Sequence, residues 1–219
     1  MFKVKRSDVI PASLLTKRSY KDEDVVEALQ KDFYKKCYLC EIKEPQDINI
    51  EHFVAHLGDE DLKYDWKNLY FSCGRCNNIK LHFFNNLLDC CDPTHDVFRA
   101  IKLLPPRTPG AKKVVVERQN EDARTRETEM LLERIYNSEH TVNKAITASF
   151  LRKKIYNRYI KFLQLVNRYY ADDTLDDERT DALARIKVLM SDQLEFSAFI
   201  KWCVLEDEEL VELLGSFIE

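Results

Sequence analysis

Four cysteines form two C-x2-C pairs, Cys37-Tyr-Leu-Cys40 and Cys73-Gly-Arg-Cys76, with 32 residues between them. Each pair sets two thiols about one turn apart, and two such knuckles complete a tetrahedral zinc site. Between them an alternating apolar and polar run, residues 48–56, carries the pair Glu51-His52. Asn68 precedes a short apolar strand, Asn77 directly follows the last cysteine, and Lys80 lies one helical turn beyond it. A neutral imidazole near physiological pH can take a proton from a water molecule. Alternation along a strand sends Glu51 and His52 to opposite faces unless the strand end twists.

These residues need elements to hold them. Residues 22–36 read as a helix, with acids in the first turn and lysines in the last, as the helix dipole prefers. The cysteine-rich stretch 37–80 follows. Residues 97–104 and 112–118 are β-rich and flank the turn-forming PPRTPGA, which predicts a hairpin. From about Thr125 onward apolar residues recur at helical spacing, predicting four or five helices, with the hinge between the basic helix and the acidic segment at 171–177. The expected class is α+β. Residues 1–36 form an N-terminal helical segment and 37–90 the core with the knuckles. Residues 91–170 hold the hairpin and helices, including a basic one, and 171–219 an acidic helical tail.

The order C-x2-C, Glu-His, Asn-Leu, C-x2-C-Asn-x-x-Lys resembles the HNH nucleases, whose core is a β-hairpin and helix gripping one divalent metal. The wording IEHF…YDWKNLYFSC..CN..K is similar to the PtuB family of HNH subunits from Septu and retron-associated antiphage systems, over roughly residues 37–160. The resemblance implies a phosphodiester hydrolase with structural Zn2+ on Cys37, Cys40, Cys73 and Cys76. It makes His52 the general base, Glu51 and Asn77 ligands of a catalytic Mg2+ or Mn2+, Asn68 the residue holding the loop that aims the base, and Lys80 a contact to the scissile phosphate. A carboxylate with an amide oxygen suits such hard ions. It also implies a PtuA-like ABC-type ATPase as partner and phage DNA as substrate. An RNA-cutting version and a non-enzymatic zinc adaptor remain as rivals. Where relatives carry Arg-Pro-Lys after Glu-His-Phe, this chain has Val54-Ala55-His56, so His56 either replaces a phosphate contact, adds a metal ligand, or is an exposed hairpin histidine. A lone Glu-His dipeptide is ordinarily a surface pair; its setting between knuckles, with both asparagines in order, reverses that expectation.

Composition narrows the class. At 45% hydrophobic and 33% charged residues the chain is globular, and four glycines among 219 residues argue against a many-turned sandwich. No apolar run approaches the roughly 18 residues of a membrane span, and the opening MFKVKRSDVIPASLL lacks a signal-peptide core, so a cytosolic protein is expected. The net charge of −4 excludes a simple nucleic-acid glue but hides a division. Residues 141–170 hold seven Lys or Arg and no acid (Lys144, Arg152, Lys153, Lys154, Arg158, Lys161, Arg168), and 171–219 hold four bases against fourteen acids. The basic helix reads equally as a phosphate binder and as a core helix whose charges answer the acidic segment. That segment in turn reads as a docking face for the ATPase or a cover for the basic helix. Cys90, Cys91 and Cys203 lack knuckle spacing and read as buried free thiols.

Overall fold

The computed structural model describes residues 1–139 and 146–218. In chain order the elements are α1 (Ala12–Leu15), α2 (Glu23–Asp32), β1 (Ile48–His52), α3 (Glu60–Tyr64), β2 (Leu69–Cys73), α4 (Gly74–Lys80), α5 (Val97–Ala100), β3 (Ile101–Leu104), β4 (Val115–Arg118), α6 (Ala123–Asn137), α7 (Ala148–Tyr170), α8 (Asp176–Met190), α9 (Ser197–Leu205) and α10 (Glu208–Leu214). The class is α+β: two small antiparallel sheets and, among the described residues, five helices after residue 120.

Helix α2 buries Val25 and Leu29, one turn apart, against β2. It ends at Asp32 rather than at residue 36, because Tyr34 and Lys35 both take positive φ (55° and 57°) and turn the chain into the first knuckle. There Lys36 bridges Lys43, and the Cys37 amide donates to the Ile42 carbonyl (3.0 Å). The Tyr38 amide donates to the Phe71 carbonyl (3.0 Å), fastening the knuckle to β2. Strands β1 and β2 pair antiparallel with Ile48 opposite Cys73 and Glu51 opposite Tyr70. All five residues of β2 are buried, and the chain passes from Cys73 straight into α4. At position 74 a Cβ would meet the Asp47 carboxylate, so a larger residue there would have to displace that side chain.

The second hairpin is shorter than its sequence suggests. Val97–Ala100 is a helical turn, because the Asp96 carboxylate caps it by accepting from the Arg99 amide (3.1 Å). Only Ile101–Leu104 extends, pairing with Val115–Arg118. Val114 stays outside the ladder, since the Asn137 side chain satisfies both its amide (2.9 Å) and its carbonyl (3.0 Å).

The acidic segment is not an appendage. Phe196, Phe199, Ile200 and Val204 are fully buried in the same hydrophobic cluster as Tyr38, Tyr70 and Leu131, and the Trp202 indole donates to the Ile101 carbonyl (2.9 Å). The buried Lys36 ammonium donates to the Asp192 carbonyl (2.9 Å) and pairs with the buried Glu41 carboxylate (3.3 Å). The supposed hinge is tied down as well, because Arg179 donates to the Ala171 and Thr174 carbonyls (3.0 and 3.1 Å).

Helix α7 buries Leu151, Ile155 and Phe162 and lies along α8. Its cations answer acids: Arg152 pairs with Glu139 (2.6 Å), Lys154 and Arg158 with Glu195 (3.0 and 3.4 Å), and Arg168 with Glu178 (2.6 Å). The core-helix reading therefore accounts for much of the charge. Lys144, expected in the same basic stretch, and His140 lie outside the described residues. No described helix is long and apolar enough to cross a membrane.

Candidate metal centre and catalytic site

The two knuckles close on each other. The thiols of Cys37, Cys40, Cys73 and Cys76 are buried and lie within 4.8 Å of one another. A tetrahedral site with metal–sulfur bonds of about 2.3 Å has sulfur–sulfur edges of about 3.8 Å. The Cys40 and Cys73 sulfurs are 3.8 Å apart. Four thiols at that spacing form a donor set suited to a metal ion such as zinc. A second group, Asp89 with Cys90 and Cys91, also falls within 4.8 Å. Cys90 is buried, while Cys91 and Cys203 are half-buried.

His52 closes β1, opposite Leu69, and is half-buried. Its Nε2 lies 3.0 Å from the Lys63 carbonyl oxygen. A carbonyl only accepts, so Nε2 carries the proton and the lone pair of the neutral ring resides on Nδ1. Burial lowers the His52 pKa below its ordinary value, which keeps the ring neutral at physiological pH. Tyr20 meets the ring edge-on at 4.8 Å, and His56, at 4.6 Å between centroids, stands beside it. His56 itself accepts from the Gly58 amide through Nδ1 (3.2 Å).

Asn68 is buried beneath the loop that joins His52 to α3. Its amide nitrogen donates to the Val54 and Leu62 carbonyls (both 2.9 Å), and its oxygen accepts from the Val54 amide (2.8 Å). One side chain thus ties the loop after His52 to α3, and the Lys63 carbonyl of α3 orients His52.

Glu51 faces α4, away from His52. It is 3% exposed, and its Oε1 pairs with the Lys80 ammonium at 2.7 Å while Oε2 accepts from the Tyr38 hydroxyl at 3.2 Å. Burial pushes the Glu51 carboxyl up to about 7 against the pull of Lys80. Lys80 does not reach toward solvent: it is fully buried and also donates to the His52 carbonyl (3.0 Å). The phosphate contact that the resemblance implied for it is replaced by this clamp, because the face of α4 carrying Lys80 lies on β1 and not in water. Asn77, one turn earlier on the same face, donates to Asn49 Oδ1 (3.4 Å). No protein donor reaches its own oxygen among the described residues.

Tyr38 and the Lys63 carbonyl were invisible to sequence reasoning. Tyr38 lies inside the knuckle, where only the cysteines carry a spacing signal, and a backbone carbonyl has no residue signature. Of the remaining histidines, His82 is exposed and His95 accepts from the Asp89 amide (3.0 Å).

Above the pH at which the buried Glu51 carboxyl ionises, removing Lys80 strands its charge, which typically costs about 3–5 kcal/mol. Lys80→Met is therefore expected to lower the denaturation midpoint strongly. The double variant Glu51→Gln/Lys80→Met should recover much of the loss, since Gln still accepts from Tyr38. Equal midpoints for the single and double variants in urea would show that the pair carries no such coupling.

No protein-family model and no curated protein matches this chain.

Proposed function

We propose that the chain is a metal-dependent HNH-type endonuclease that hydrolyses phosphodiester bonds, with DNA as substrate, acting as the effector of a bacterial antiphage complex with a PtuA-like ATPase. The observation that carries the reading is the orientation of His52. Its Nε2 is committed to the Lys63 carbonyl of α3, which Asn68 holds through Leu62, so Nδ1 is left as the base. The buried cysteine cluster would hold structural Zn2+ and so fix the ends of the hairpin.

The donors for a catalytic cation are one carboxylate, Glu51, and one amide oxygen, Asn77, both on the side of β1 that meets α4. The carboxylate accepts two hydrogen bonds and retains lone pairs for a third partner. Mg2+ favours few protein ligands and several waters, so at 3% exposure Glu51 would reach such an ion only once its pair with Lys80 opens. When bound, such an ion neutralises phosphate charge and stabilises the departing oxygen. The chain's own part is to take a proton from the attacking water at His52 Nδ1, to hold that ring through Lys63 and Asn68, and to hold Glu51 between Lys80 and Tyr38.

The test is cleavage of matched DNA and RNA by the purified chain with Mg2+, alone and with the ATPase. DNA cutting that needs Mg2+ and rises with the ATPase is expected. Preferential cutting of RNA would favour the rival substrate. No Mg2+-dependent cutting of either, with zinc bound, would leave the zinc adaptor. Full-rate plasmid degradation without a partner would remove the ATPase from the proposal.

A further inference from the structure

Helix α4 ends at Leu81, whose positive φ (46°) turns the chain outward. Phe83 consequently stands 64% exposed, its ring 4.1 Å from the His82 imidazole, although the next residue, Phe84, is buried. Between this turn and α6 lies an open groove of about 600 Å³ with Phe83, Phe84 and Met130 as its apolar lining. Arg126, Arg134 and Glu127 stand at the same groove, Arg134 over the Phe84 ring at 5.1 Å, Arg126 paired with Glu121 (3.1 Å) at the surface, and Glu127 accepting from the Asn86 amide (3.0 Å). An exposed apolar patch rimmed by charge marks a binding surface. The turn is also joined to the candidate site: Asn85 Oδ1 accepts from the Ala55 amide (2.9 Å), in the loop that follows His52. Lys80, three residues before Phe83, donates to the His52 carbonyl.

Resting on the endonuclease reading, we infer that the His82–Phe83 shelf and its groove receive an unpaired base flanking the scissile phosphate. An aromatic face beside guanidinium groups, at the edge of a phosphodiester site, matches the two halves of a nucleotide: a ring that stacks and a phosphate that accepts. In an intact duplex the base faces are already stacked on their neighbours. The substrate is therefore single-stranded or locally unpaired nucleic acid.

Stacking of one base on an aromatic side chain is worth roughly five- to a hundred-fold in affinity. The test measures binding of fluorescent oligonucleotides to the zinc-loaded full chain at low salt without Mg2+. The strands are base-bearing DNA, base-bearing RNA, abasic DNA of equal length, and duplex DNA. Base-bearing single strands are expected to bind at least fivefold more tightly than abasic or duplex DNA, with the DNA and RNA arms reporting which sugar is preferred. Phe83→Ala should erase that difference and Phe83→Trp restore it; the exposure of Phe83 spares the fold. Equal affinity for base-bearing and abasic strands, or an unchanged preference in Phe83→Ala, overturns the inference and leaves the groove a protein-facing surface. Mg2+-dependent, His52-dependent cleavage without any base preference would sink the shelf alone, whereas absence of cleavage and of binding would sink both readings.

Discussion

Cys40→Ala is expected to abolish both metal content and cooperative folding. Its sulfur sits 3.8 Å from that of Cys73, in a cluster that joins the first knuckle to the start of α4. Zinc binding at such sites contributes on the order of 10–16 kcal/mol in small peptides, at or above the typical stability of a whole domain. Three thiols cannot replace the closed tetrahedral set, and without an ion the four thiols lose the bonds that would hold the two knuckles to each other. Elemental analysis should fall from one zinc per chain to none, and the thermal transition should broaden or vanish. Cys203→Ser, outside the cluster, should keep both. A Cys40→Ala protein that melts like the parent would rule out a structural metal here.

His52→Ala should behave in the opposite way, losing chemistry and keeping structure. A general base contributes roughly 10²–10⁴-fold in rate. The substitution removes a half-buried ring whose one backbone bond, to Lys63, is not part of the cysteine cluster or of the Glu51–Lys80 pair. Zinc content and melting should stay near those of the parent while Mg2+-dependent cleavage falls by two or more orders of magnitude. Asn68→Ala should reduce the same rate, because the three hydrogen bonds of that side chain hold the loop after His52 and α3, whose Lys63 carbonyl aims His52. Near-normal cutting by His52→Ala would mean another group takes the proton, with His56, 4.6 Å away between ring centroids, the first to replace.

The amino-acid sequence by itself determined the features that are written in local spacing. C-x2-C places two thiols together wherever it occurs, so both halves of the cysteine cluster were legible, as were Glu51, His52, Asn68 and Asn77 as candidates. The 3.6-residue period announced the helices after residue 120, and the acids and bases of α2 marked its direction. What spacing does not encode is which face of an element meets another element. That Lys80 shares a face with Asn77 follows from three residues of helix, but whether that face looks into water or onto β1 is decided by how α4 packs on the hairpin. Packing chose β1 and turned a predicted phosphate contact into a buried partner of Glu51. The same holds for Tyr38, whose partner Glu51 is 13 positions away, and for the helical turn Val97–Ala100, where one capping carboxylate outweighed β-rich residues. The acidic segment shows the point at the largest scale. Its apolar spacing marked it as folded helix and its charge as a docking face or cover, but not that Phe196, Phe199 and Ile200 bury with residues from the opposite end of the chain, because removing apolar surface from water does not depend on separation along the sequence.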